Sequence, residues 1–352
     1  MAESIWGVRD NHGEWQPDEL PKPSPLFSLP LKPKAILAYL FAPGGLLFPF
    51  NLFLLGLAVV SGLYFTPGPE RTARFAFDWI ALIYLRNAVL MILLFGAFHY
   101  WLYIRRAQGT KYKYSDKWLA VGDKRFLFGN QTWDNIFYSL VSGCGIWTAY
   151  EALTLWAFAN RLLPAVDWQT HPVYCTLLLV AVVFLREFHF YWVHRFSHWK
   201  PLYRPVHALH HLNINVGPWS GMAMHPLEHL LYLSGVLLHW IIPSHPIHAI
   251  AHLMHAGLAP VKGHSGFNKF VISGFGEAEH ERVLRAGNYL HYLHHRFFTV
   301  NYGNDVFPFD RWYGSYHDGS PEMHAAMLER RKRNSHRVTS GDRKDPPAFP
   351  GS

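Results

Sequence analysis

Long apolar blocks separated by short polar joints set the first expectation for this chain. Residues 35–65 are apolar but broken by Pro43-Gly44-Gly45 and by Pro49, which predicts a short interfacial piece and then a spanning helix over about 46–64. The turn Thr66-Pro-Gly-Pro-Glu70 leads into 77–104, which carries Arg86 and Asn87 mid-segment. That block exceeds the ~20 helical residues a bilayer core takes. Residues 133–160, with Glu151 inside, and 172–190 are the third and fourth candidate spans. Two further apolar runs, 230–242 and 247–258, are short for a crossing and carry histidines, so they read as a buried or re-entrant helical pair. The pattern predicts an all-α integral membrane protein with about four transmembrane helices, re-entrant or interfacial helices and a cytoplasmic helical cap.

Charge orients these spans. Residues 1–36 hold Arg9, Lys22, Lys32 and Lys34, and the stretch 105–132 holds Arg105, Arg106, Lys111, Lys113, Lys117, Lys124 and Arg125. The opposite loops hold Arg71, Arg74 and Arg161. The positive-inside rule places the richer set in the cytoplasm, and with four spans both termini lie there too. The net charge of +8 sits in loops beside apolar runs and in the tail, which favours a membrane surface over nucleic acid. Cys144 and Cys175 both lie in apolar stretches, so neither a disulfide framework nor a cysteine metal site is expected. The opening 34 residues are polar and Pro-rich and do not read as a secretory signal, so the first apolar segment is expected to remain as an anchor. Arg86 and Glu151 are read as a structural ion pair between the second and third spans rather than as a headgroup site.

Histidine changes the picture most. The chain has 24 His, as many as Asp and Glu together. Eight fall in three clusters: His194 and His198; His207, His210 and His211; His291, His294 and His295. Residues at i, i+3 and i+4 share a helix face, with Cβ atoms about 5–6 Å apart, close enough for imidazoles to share an ion. Eight such nitrogens exceed what one four-coordinate zinc needs and suit a dinuclear metal site. On an ideal helix with His194 at 0°, His198 lies at about 40°, Glu187 at about 20° and Tyr191 at about 60°. His189 falls at about −140°, on the far side. Glu187 is therefore nominated as a carboxylate that orients a ligand ring, and His189 as a packing residue. Pro201 ends this helix, and Pro205 suits the first turn of a second one presenting His207, His210 and His211. His239, His245, His248 and His252 read as packed, hydrogen-bonded residues, and His12, His324 and His336 as solvent-exposed.

The run Glu187-Phe-His-Phe-Tyr-Trp-Val-His-Arg-Phe-Ser-His198 and then His207-Ala-Leu-His-His211 resembles the fatty acid hydroxylase/sterol desaturase superfamily. His225-Pro-Leu-Glu228, His291-Tyr-Leu-His-His295, Asn301-Tyr-Gly303 and Asp310-Arg-Trp-Tyr-Gly314 extend the resemblance across residues 175–316. It implies a non-haem centre of two iron ions, O2 as oxidant and an external electron donor of cytochrome b5 or ferredoxin type. It implies one or two more ligands between the second and third clusters, where His255 and His264 both fit. The insertion 267–288 departs from the expected compact spacing. Together with the apolar pattern, the resemblance divides the chain into a polar segment 1–35, an anchor region 36–170, a hydroxylase-like catalytic domain 171–318 and a basic tail 319–352. The tail is expected to begin with a short helix over 321–331 and to end disordered.

The expected function is hydroxylation or desaturation of a lipid C–H bond, of sterol or fatty-acyl type, with the substrate entering from the bilayer. No G-x-G-x-x-G fingerprint occurs, so electrons must come from another protein. His225-Pro-Leu-Glu228-His229 also satisfies H-x-x-E-H, the rival pattern of a membrane zinc metallopeptidase, and a membrane metal transporter is a non-enzymatic rival. The ending Phe-Pro-Gly-Ser differs from a K-D-E-L retention signal, which points to a bacterial inner membrane rather than the endoplasmic reticulum, with a cytoplasmic active site.

Overall fold

A computed structural model describes residues 7–10, 13–272, 282–285 and 287–339. Helices α1 (Pro33–Phe41) and α2 (Phe50–Tyr64) are followed by α3 (Phe77–Ile104). The helical run 131–159, here α4, contains a π turn at Ser139–Gly143. Then come α5 (Pro172–Ser197), α6 (Pro226–Leu233), α7 (Pro246–Leu258), α8 (Tyr289–Phe297) and α9 (Pro321–Thr339). Local chemistry starts several of them. Pro occupies the first helical turn of α1, α5, α6 and α7, where its missing N–H costs nothing. Asn130 caps α4 by accepting from the Thr132 and Trp133 N–H groups, and Asn288 caps α8 by accepting from Leu290 and His291.

Only α3 and α5, among the described residues, are both long and apolar enough to cross a bilayer. Helix α2 has 15 residues and is shorter than the span expected over 46–64. The outward faces of α3 and α5 are apolar: Leu85 and Leu93 are 60% and 64% exposed, and Val173 and Leu177 are 71% and 65% exposed. Contiguous exposed apolar surface of this kind belongs against lipid. The inward faces build a core with α7 at its centre, all of whose residues from Ile247 to Leu258 are buried. It packs against α2, α4 and α5. The runs 230–242 and 247–258 thus form two short helical pieces joined by a turn, the first continuing from α6 into a 3-10 turn at Ser234–Trp240. Arg86 and Glu151 meet inside this core, with the Arg86 Nη2 atom 2.5 and 2.6 Å from the two carboxylate oxygens. Asn87 and Thr66 accept further bonds from the guanidinium.

The architecture departs from all-α in two places. Strands β1 (Val8–Arg9) and β2 (Trp15–Gln16) pair antiparallel, as do β3 (Lys269–Ile272) and β4 (Arg282–Arg285). The second pair lies inside the insertion 267–288. Phe270, Val271 and Ile272 on β3 and Val283 on β4 are the aromatic and β-branched residues that favour strands. The final helix runs eight residues past the expected end at 331.

Candidate metal centre

The three histidine motifs do not map onto the site one motif at a time. His194, His198, His207, His211 and His294 each offer a ring nitrogen to one group, and His210, His264, His291 and His295 to another; within each group these atoms lie within 4.8 Å of one another. The groups abut, with the His211 and His295 ring centroids 4.9 Å apart. Helix α5 supplies His194 and the adjoining His198, and α8 supplies His291, His294 and His295. The segment between them is not the regular second helix predicted from Pro205. It is a π turn at Tyr203–His207 followed by a 3-10 turn at His210–Leu212. This broken geometry sends His207 and His211 to one group and His210 to the other.

The protonation pattern follows from the acceptors. The Nδ1 atoms of His194, His294, His210 and His264 face the carbonyl oxygens of Tyr302, Val300, Ala223 and Pro260. A carbonyl only accepts, so in the neutral rings the proton sits on Nδ1 and Nε2 keeps its lone pair. Those lone pairs converge. His198 Nε2 and His294 Nε2 are 3.0 Å apart, His194 Nε2 and His207 Nε2 3.1 Å, and His291 Nε2 and His264 Nε2 3.0 Å. Burial pushes His207, His211, His264, His291, His294 and His295 far below the usual imidazole range, and His210 down to about 4. Neutral rings with facing lone pairs repel unless a cation sits between them, so the donor set fits metal ions.

Two motifs that the resemblance left without a role act on this centre. The Tyr302 carbonyl that orients His194 belongs to Asn301-Tyr-Gly303, and the Asp310 carboxylate fixes that turn by accepting from the Tyr302 and Gly303 N–H groups. Asn301 ties the start of α8 to the chain at His317 by donating to the Leu290 and His317 carbonyls. The carboxylate that bonds a ring of these groups is Glu228, whose Oε1 lies 2.6 Å from His207 Nδ1. This corrects the nomination of Glu187. That residue accepts from Arg186 on one oxygen and from Asn304 on the other, and hydrogen-bonds no ring of either group. A shared helix face set its angle, but a neighbour one residue away took its charge.

The structure separates the two positions left open between the second and third clusters. His264 joins the second group, whereas His255 points its Nε2 at the Asn51 side chain, 3.1 Å away, and lies in neither group. The H-x-x-E-H pattern comes apart. His225 caps α6, Glu228 bonds His207, and His229 bonds Ser142 and the Met222 carbonyl, so the three side chains have separate partners and form no histidine group together. Pro226 sits in the first turn of α6. His189 bonds Ser234, His239 bonds Ser244 and His252, and His248 bonds the Cys175 carbonyl, as packing residues do. His324 is half-buried against Phe297 rather than free in solvent. His12 and the side chain of His336 fall outside the described residues.

Above the two groups lies a cavity of about 370 Å³, lined in part by His194, His207, His210, His264 and His291 and by Leu46, Phe50, Phe190 and Met224. The fold and this donor set define a helical membrane protein with two adjoining histidine groups capable of holding cations. Residues 179–315 match the fatty acid hydroxylase family. The chain is 29% identical over 168 residues to a Delta(7)-sterol-C5(6)-desaturase of Nicotiana tabacum, covering 46% of this chain and 56% of that protein. It is 28% identical over 161 residues to a Delta(7)-sterol 5(6)-desaturase of Eremothecium gossypii, covering 45% and 43%. It is 30% identical over 167 residues to a putative Delta(7)-sterol-C5(6)-desaturase 2 of Arabidopsis thaliana, covering 46% and 54%. The chain thus spans about half the length of the curated relatives it matches. No solved structure matches it.

Proposed function

We propose that this protein is a membrane-bound non-haem di-iron oxygenase that uses O2 and external electrons to hydroxylate or desaturate a lipid C–H bond, of sterol or fatty-acyl type. The observation that carries the reading is the convergence of nine imidazole nitrogens into two adjoining groups. His194, His198, His207, His211 and His294 would hold one iron, and His210, His264, His291 and His295 the other. When bound, iron supplies O2 activation and removal of hydrogen from an unactivated C–H bond. The residues of the chain do the rest. The Tyr302, Val300, Ala223 and Pro260 carbonyls lock four rings in the ligating tautomer, and Glu228 raises the basicity of His207. The cavity brings a hydrocarbon against both groups, and its apolar wall keeps water from the reacting carbon.

Four spans, a cytoplasmic site and a bacterial inner membrane remain part of this proposal. One feature supports the orientation: the basic stretch 105–132 packs at the histidine end of the helices, where Gln131 donates to Asn213 and Asn215 donates to the Lys117 carbonyl. An electron donor of cytochrome b5 or ferredoxin type would meet that basic end. The test is elemental analysis of purified protein, with about two irons expected, and His210→Ala and His294→Ala each lowering the content. One zinc retained in full by both variants overturns the reading. Freely exchanging metal points to a transporter instead. Lipid profiling of a deletion strain by mass spectrometry then reports the product, as a gain of one oxygen or a loss of two hydrogens on one lipid class.

A further inference from the structure

The same cavity is also lined by Lys262 and Arg285. Lys262 is half-buried, with its Nζ 5.5 Å from the centre of the Phe50 ring. Neither side chain has a hydrogen-bond acceptor or carboxylate partner among the described residues. The charged group that bears most on Lys262 is Arg285, of the same sign. The two carboxylates that line the cavity are already committed: Glu187 is shared between Arg186 and Asn304, and Glu228 bonds His207. Asp305, also near Arg285, is paired with Arg311 at 3.0 Å. Of the three cationic side chains that line the cavity, Arg186 is paired with Glu187, and Lys262 and Arg285 are left without an acid among the described residues. A partly desolvated ammonium with no counter-charge is costly, and a ligand anion offsets that cost.

Position adds to charge. Arg285 stands on β4, within the insertion 267–288, and its Cβ lies close to where a side chain on Gly44 would begin. The insertion thus brings its arginine to the turn between α1 and α2, at the cavity edge. The histidine groups and the apolar side chains Leu46, Phe50, Phe190 and Met224 line the remainder. We infer that the cavity takes an amphiphile with an anionic head group, a carboxylate or a phosphate, held by Lys262 and Arg285 with its hydrocarbon laid toward the histidines. The inference rests on the lipid-oxygenase reading for what is done to the hydrocarbon. It selects among substrates within that reading, because a sterol hydroxyl is neutral and leaves both cations unmatched.

The test uses full-length protein in detergent and a fluorescent polyene fatty acid, cis-parinaric acid, beside its methyl ester. The two share a chain and differ in head charge. The acid is expected to bind tighter than the ester by about 10- to 150-fold, the range for one hydrogen bond to a charged group. Lys262→Gln and Arg285→Gln are each expected to bring the acid down toward the ester, with Lys262→Arg restoring much of the difference. Arg285 is exposed, so its variant keeps the test usable if Lys262→Gln fails to fold. Displacement of the probe by laurate or by dilauroyl phosphatidic acid identifies the source of the anion. Equal binding of acid and ester, an acid preference that survives both substitutions, or displacement by a neutral sterol ahead of either anion overturns the inference. Iron content of the same preparations reports separately on the oxygenase reading, which can fail while the head-group preference stands.

Discussion

Replacing Glu228 separates the two histidine groups. Its carboxylate is buried, 4% exposed, and its Oε1 sits 2.6 Å from His207 Nδ1. His207 belongs to the five-nitrogen group and not to the four-nitrogen one. A hydrogen bond to a charged partner is worth about 1.5–3 kcal/mol, or roughly 10- to 150-fold in affinity at 1.4 kcal/mol per decade. Loss of a carboxylate behind a ligand histidine typically costs about 10- to 100-fold, so the two routes agree. Glu228→Ala is therefore expected to weaken one iron and leave the other in place. Under limiting chelator, the content should fall from about two toward one. Glu228→Gln should fall less, because its amide oxygen still accepts from the Nδ1–H. Glu187→Gln is the control: it breaks an ion pair with Arg186 at 2.6 Å and should lower stability while both irons remain. The assay is iron titration by elemental analysis beside thermal unfolding of the same samples. Loss of metal from the Glu187 variant as complete as from the Glu228 variant, or loss of both irons together from Glu228→Ala, refutes the reasoning.

Within α5, His194→Ala should lower iron content and abolish lipid oxidation, whereas His189→Ala should keep its metal, because His189 bonds only Ser234; elemental analysis of both decides. Glu151→Ala leaves Arg86 buried and unpaired in the core, which typically costs about 3–5 kcal/mol and should show as a large fall in thermal stability with the metal ligands untouched. Cysteines at the exposed positions Lys124 and Gln169 should label from opposite sides of the membrane, and labelling from one side contradicts the four-span orientation. Acid should destabilise the metal-free protein. For His210 the ordinary value of about 6.5 falls to about 4 on folding, so the unfolded chain binds the proton first. Stability is then full above pH about 6.5 and drains away toward pH 4, by roughly 3 kcal/mol for this residue at 1.36 kcal/mol per tenfold change in proton affinity. Denaturant melts at pH 7.5 and 5 that coincide would contradict this.

Much of this protein was legible along the chain, because membrane helices and histidine pairs are local patterns. The apolar blocks predicted α3 and α5 closely, since a bilayer asks only for a long run of apolar residues that satisfy their own backbone. The spacing of His194 and His198 on one face of α5 was legible for the same reason, as was the opposite placement of His189. Intramembrane Arg86 and Glu151 announced a pair because a lone charge there is too costly to keep. What the sequence could not show is how segments far apart in the chain divide one set of nitrogens. His210 and His211 are neighbours in sequence yet serve different groups, because the irregular turns between 203 and 212 rotate them apart. The choice of His264 over His255, and of Glu228 over Glu187, depends on which side chains meet across 21 to 31 residues of chain. Helical phase says only which way a side chain leaves its helix. Whether a ring, a guanidinium or an amide waits there is decided by packing, so the kind of chemistry was written in the sequence and its partition between two sites was decided only by the tertiary structure.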